Sequence, residues 1–194
     1  RPGQSELVTP RSEADRVQVL SGVHEGRTTG HPIALVVFNQ NLRSGDYAGI
    51  RDLFRPGHAD LTYERKYGLR DPRGGGRSSG RETLARVAAG AWAKQQLAPL
   101  GVRIRGFNRE IAGLAGGSLD WDFVERNPLR VADPGTFEAQ KALVEAARAD
   151  PDSVGGVTEV WIEGLPLGLG DPAFAKLDAL LAYACMSIGA VKGV

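Results

Sequence analysis

His58 stands in the run Arg55-Pro56-Gly57-His58-Ala59-Asp60. An imidazole titrates near neutrality, so it can give or take a proton under ordinary conditions. This one lies in a loop-forming stretch among arginines, with a carboxylate two residues on, which makes it the histidine best placed for acid-base chemistry. The plainer reading is a structural histidine. His24 and His31 flank the Glu25–Gly30 segment and read as surface turn residues.

The second chemically loaded stretch runs from Arg73 through Gly74, Gly75 and Gly76 to Arg77, Ser78, Ser79, Gly80, Arg81, Glu82 and Thr83. Ser79 followed three residues later by Glu82 is a capping-box pattern that predicts a helix start near Gly80. A helix N-terminus carries unpaired N–H groups and partial positive charge, so an anion gains hydrogen bonds and a favourable field there. Three glycines let backbone approach a ligand, and a guanidinium grips two oxygens at once. Arg77, Ser78 and Ser79 thus suit the phosphate of a ligand, with a solvated Gly/Arg turn before an ordinary capped helix as the alternative. The segment lacks the Gly-Lys-Ser/Thr of a nucleotide P-loop and is not the GxGxxG of a dinucleotide site. Arg43, in Arg43-Ser44-Gly45-Asp46-Tyr47, can serve a phosphate or pair with Asp46.

Charge concentrates around these motifs. Across the whole chain Lys plus Arg exceeds Asp plus Glu by only 24 to 23, which gives no argument for a nucleic-acid or membrane partner, and none is expected. Between Arg51 and Arg86, however, there are nine basic residues and five acidic ones. The single cysteine, Cys185, sits in an apolar run and offers neither a disulfide framework nor a Cys-based metal site, so a cytoplasmic location is expected. No run resembles a membrane span or a signal peptide. The opening Arg1-Pro2-Gly3 and the closing Ala190–Val194 lead to the expectation of a piece of a longer chain.

Several elements must position the motifs. Val17–Val23 and Ile33–Phe38 are rich in β-branched residues on either side of a turn-forming Glu25–Gly30, which predicts two neighbouring strands. Asn39–Tyr67 reads mostly as loop. Leu84, Val87, Ala88, Ala91 and Trp92 recur at helical spacing and predict one buried face. A short strand is expected over Val102–Arg105, loop over Gly113–Asn127, a helix opened by Asp133-Pro134 and ending near Ala149, and a strand over Val157–Ile162 with Trp161 in the core. Asp171-Pro172 should cap a last helix on which Phe174, Leu177, Leu180, Leu181 and Ala184 share a face. With no repeat, linker or strict alternation, the expectation is one α+β domain over 1–194 without an internal boundary.

Eight blocks in order resemble chorismate synthase. They are Arg1–Ser5, Leu20–Val23, Glu25–Gly30, Arg43–Tyr47, Phe54–Asp60, Lys66–Asp71, Arg73–Thr83 and Ala190–Val194. The resemblance spans the whole chain and implies a β-α-β sandwich, incomplete here, assembled as a homotetramer. It implies a lyase that converts 5-enolpyruvylshikimate 3-phosphate to chorismate by 1,4-anti elimination of phosphate. Reduced FMN is then needed without net oxidation, with NADPH as a candidate reductant. By matching position, Arg77, Ser78 and Ser79 look like the flavin-contacting triplet, and His58 like the histidine that protonates reduced flavin. Arg1 falls in a cluster used for substrate or nicotinamide, and Arg43, Arg55 and Arg81 are candidate contacts to substrate anions.

The family's Gly-Glu-Ser-His-Gly segment and its C-terminal flavin contacts would fall outside these residues. The isolated chain is accordingly expected to be poorly folded or inactive. Many members carry Arg at Glu6, Tyr at Pro72, Ala at Gly80, and Asn or Pro at Gly189. The rival readings are an inactive homologue, and a non-catalytic module binding RNA or other phosphates through the same Gly/Arg face.

Overall fold

A computed structural model describes residues 5–7, 13–40, 44–73 and 79–194. In chain order the strands and helices are β1 (Gln18–Val19), β2 (Val23–His24), β3 (Arg27–Thr28), β4 (Leu35–Val36), α1 (Asp60–Tyr67), α2 (Glu82–Leu97), β5 (Arg103–Ile111), β6 (Leu114–Ala115), α3 (Trp121–Arg126), α4 (Phe137–Ala149), β7 (Gly156–Glu163) and α5 (Leu177–Met186). The mixture is α+β. By contacts the chain divides into two compact units, one of residues 1–13 and 94–165, the other of 14–93 and 166–194.

The first unit is organised on a sheet of order β6-β5-β7, antiparallel throughout. Ala112 and Gly113 both take positive φ, which closes the β5–β6 hairpin with the handedness that twisted strands need. Arg103 pairs with Glu163, Arg105 with Trp161 and Phe107 with Glu159, so these residues share one sheet face. Phe107 packs on that face with Val124 of α3 and Ala132, and Leu119 and Trp121 close around them. Gly156 approaches the Glu110 carbonyl so closely that a Cβ there would lie 2.5 Å from it.

Strand β5 runs to Ile111, well past the expected Arg105, with a register shift between Asn108 and Glu110 and with Phe107 and Ile111 buried on either side of it. The expected Gly113–Asn127 loop instead holds β6 and α3. Asp120 caps α3 by accepting from the N–H groups of Asp122 and Phe123. Helix α4 starts at Phe137 rather than at Asp133-Pro134, since the Asp133 carboxylate is drawn to Gly117, Ser118 and Gly135. Trp161 is 40% exposed, not core, and meets Trp121 edge-on at 5.8 Å.

In the second unit β1 and β4 are neighbours as expected, though each is two residues long, and they pair antiparallel; the chain between them forms the β2–β3 hairpin about Glu25 and Gly26, both at positive φ. The Asn39–Tyr67 expectation is corrected. A 3-10 helix covers Ser44–Ile50 and α1 covers Asp60–Tyr67, its C-cap being left-handed Gly68. Helix α2 starts where predicted, but of the five residues expected on its buried face only Leu84, Ala88 and Trp92 are half-buried, while Val87 is 72% exposed. Its apolar stripe is narrower than the spacing implied. Likewise Phe174 lies outside α5 in a short 3-10 turn and is 97% exposed, so it does not share the helix face. None of the described helices is long and apolar enough to cross a membrane.

Candidate functional site

Pro56 and Gly57 dictate the loop that carries His58. The N–H of His58 donates to the Arg55 carbonyl at 3.3 Å, and Gly57 sits at φ 69°, the arrangement of a turn with proline second and a positive-φ glycine third. Two residues on, Asp60 opens α1. Its carboxylate accepts from the Arg55 backbone N–H at 3.0 Å, from Nε at 2.8 Å and from Nη2 at 2.8 Å. The loop is thereby pinned at both ends.

The His58 ring is exposed, with Nδ1 2.9 Å from the Pro56 carbonyl oxygen. A carbonyl only accepts, so Nδ1 carries the proton, and Nε2 is the free acceptor in the neutral ring or the free donor in the imidazolium. Asp60 is buried, and the hydrogen bonds from the Arg55 guanidinium hold its carboxyl well below the usual carboxylate range. The same bonds raise Arg55. Arg55 lies over the Tyr47 ring at 5.5 Å. Arg70 approaches Asp60 at 3.9 Å and Glu64 at 3.8 Å, stacks over Phe54, and donates to the carbonyls of Arg51 and Leu53.

Ser79 heads the 16-residue α2. Its hydroxyl accepts from the Arg81 N–H at 3.2 Å, and its carbonyl accepts from the Glu82 N–H at 3.0 Å. The Arg81 guanidinium reaches Asp15 at 2.6 Å, with both side chains largely buried. Glu82 pairs with Arg86, which also holds Ser187 beyond the end of α5. Much of the local basic surplus is therefore matched: Arg55 and Arg70 to Asp60, Arg73 to Asp71, Arg81 to Asp15, Arg86 to Glu82.

Of the site residues read from sequence, Arg55, His58, Ser79 and Arg81 all lie in the unit of residues 14–93 and 166–194. Arg55 and His58 share one loop, and Ser79 and Arg81 share one helix start. Arg1, Arg43, Arg77 and Ser78 lie outside the described residues. The sequence reading missed Asp15 and Arg70, and it set Asp60 beside His58 when its partner is Arg55. Arg55 and Asp60 are five residues apart across a Pro-Gly turn, a signal that was available; the 66-residue separation of Asp15 from Arg81 offered none.

Residues 1–194 match the protein family described as Chorismate synthase. The chain belongs to that family. It is 55% identical over 194 residues to the chorismate synthase of Syntrophobacter fumaroxidans (strain DSM 10017 / MPOB), covering 100% of this chain and 55% of that protein. To the chorismate synthase of Methanosarcina mazei it is 53% identical over 197 residues, covering 100% and 54%. A crystal structure of chorismate synthase superposes with a TM-score of 0.76 at 32% identity, over 91% of this chain and 53% of that one. The α+β fold is thus of the chorismate synthase type. The chain spans about half the length of the curated relatives it matches.

Three departures from the family pattern can be placed in the structure. A Cβ at Gly80 or Gly189 would meet nothing within 4 Å, so the alanine common at the first position would fit. Pro72 lines an open cleft of about 290 Å³ with Arg51, Asp52, Phe54, Glu64 and Arg70. The described donors suit a reduced flavin in kind: a serine at the positive end of a long helix, and an exposed imidazole with one committed and one free nitrogen.

Proposed function

We propose that the whole protein is a chorismate synthase, a carbon–oxygen lyase that converts 5-enolpyruvylshikimate 3-phosphate to chorismate. The observation that carries this reading is identity above half, along all of this chain, to two proteins of that name. The elimination removes phosphate from one carbon and a hydrogen from another, and the new double bond balances both losses without net oxidation. Reduced FMN, when bound, supplies transient electron density to that step. Arg77, Ser78 and Ser79 are the residues proposed to hold it.

His58 holds a proton at Nε2 for delivery to the reduced flavin, its Nδ1 being committed to Pro56. Arg1, Arg43, Arg55 and Arg81 are proposed contacts for the substrate's phosphate and carboxylates. Arg55 reaches them only through the N–H groups that Asp60 leaves free. A homotetramer in the cytoplasm, with NADPH as reductant, and a single domain embracing both units complete the proposal. Family membership disfavours the alternative of an RNA- or phosphate-binding module.

The test is an anaerobic assay of the full-length protein with substrate and reduced FMN, in which chorismate should appear. His58→Ala should lower kcat by roughly 10²–10⁴-fold while flavin affinity changes little. A folded full-length protein that forms no chorismate refutes the activity, and unchanged turnover in His58→Ala returns that residue to a structural role. Residues 1–194 alone should be inactive, a reading supported by the exposure of Val87, Phe174 and Tyr183. Phosphate release by that span would overturn it.

A further inference from the structure

We propose that Asp60 is the positioning residue of the site, fixing both which nitrogen His58 presents and which edge of Arg55 is free; this rests on the activity proposed above. Asp60 is 3% exposed, and among the described residues of its unit no other is fully buried. A carboxylate taken from water is costly unless its lone pairs are filled. Here the filling comes from one residue, Arg55, through three hydrogen bonds, two of them from the guanidinium. Arg70 adds its charge at 3.9 Å and ties the Arg51–Leu53 backbone to the same point.

The carboxylate is consequently the node where the 51–54 segment, the Arg55–His58 turn and the first turn of α1 meet. The substrate class proposed above is anionic, and a carboxylate cannot attract it. A buried aspartate among the arginines therefore works through geometry.

Two consequences follow from hydrogen-bond accounting. First, the Pro56 carbonyl can meet His58 Nδ1 only while the turn is closed, and Asp60 closes it from outside by holding the Arg55 N–H. With the turn opened, the ring loses the acceptor that keeps its proton on Nδ1, and Nε2 is no longer reserved. Second, a guanidinium offers five N–H groups. Asp60 takes Nε–H and one on Nη2, so an incoming oxyanion meets the Nη1 side, with the plane further held over Tyr47. Without the carboxylate, the guanidinium regains its rotamers and meets an anion from no fixed direction.

The experiment uses the full-length protein with Asp60→Asn and Asp60→Ala. The His58 tautomer is read from ¹⁵N shifts at a pH where the ring is neutral, and turnover is read from anaerobic chorismate formation with reduced FMN. Wild type should show the Nδ1–H form. Asp60→Ala should move the population toward Nε2–H and lower kcat more than tenfold. Asp60→Asn retains one acceptor for the Arg55 N–H and should fall between the two, and if Asp60→Ala fails to fold, Asp60→Asn decides alone. A tautomer and a kcat within twofold of wild type in a folded variant overturn the proposal. A wild-type protein that makes no chorismate, yet whose tautomer follows residue 60, sinks the proposed activity while supporting the loop assignment.

Discussion

All six fully buried apolar side chains among the described residues, Val102, Phe107, Ile111, Val124, Val131 and Ala132, fall in the unit of residues 94–165. In the other unit the one fully buried described residue is Asp60. The first unit thus draws on apolar burial, worth about 1.5–3 kcal/mol for a large side chain. The second draws on charge pairs, which contribute about 0–1 kcal/mol each where exposed and are offset by the cost of desolvation where buried, as at Asp60. Yet the second holds every described candidate for chemistry. The contrast is physically sensible, because a region that binds anions must keep cations, and cations kept ready must be held by something other than oil. Segments that rearrange around ligands are generally drawn from the less stable parts of a fold.

The largest test of this contrast is Phe107→Ala. Removing a ring packed against Val124, Ala132 and Trp121 should cost about 3–5 kcal/mol in urea unfolding followed by tryptophan fluorescence. A loss under about 1 kcal/mol would show that the first unit is not held by this cluster.

Next comes Asp133, which is polar but serves the first unit. N–H donation from Gly117, then the Ser118 hydroxyl and the Gly135 N–H, hold its pKa at about 2. An unfolded aspartate titrates near 4, so the folded-state pKa is depressed. Its contribution is complete above about pH 4 and is lost as pH falls toward about 2, on the order of 1–2 kcal/mol after allowance for solvent. Unfolding at stepped pH should show this slope in wild type and lose it in Asp133→Asn. An unchanged slope would remove Asp133 from the first unit's account.

For the second unit, a double-mutant cycle on Asp15 and Arg81 should return a coupling of about 1 kcal/mol, weakening as salt is added. A salt-independent value would mean that packing, not charge, joins them. The smallest effect is expected at Gly90, inside α2, where a Cβ meets nothing within 4 Å. Gly90→Ala should raise stability by about 0.5–1 kcal/mol, read as a higher Tm; a decrease would show that a neighbour needs the gap.

The same contrast explains what was legible in the sequence. Periodicity gave α2 and β7, the Asp133-Pro134 start signal pointed to α4, and the β-branched runs gave the β1–β4 pair, because those signals are local. Helix α1 escaped notice since its apolar residues are few and its start is fixed by the Asp60–Arg55 pair, a contact periodicity does not encode. Helix α3 is short, and its only strong signal is the Asp120 cap. At the site, residue types announced acid-base and anion chemistry around His58 and Ser79. That Asp15 would engage Arg81 was hidden, because pairing over 66 residues depends on tertiary folding, whereas the Arg55–Asp60 pair, five residues apart, was within reach of a local reading.

Strand β7 has β5 as its one partner among the described strands, so its outer rim carries backbone groups that no described strand meets. During synthesis such a rim is a template onto which another nascent chain can zip. Glu159 and Glu163 interrupt its apolar residues, their charges directed across the ladder to Arg109 and Arg105. Those glutamates make β7 its own gatekeeper against aggregation, and neutralising both would be felt first in the yield of soluble protein rather than in turnover.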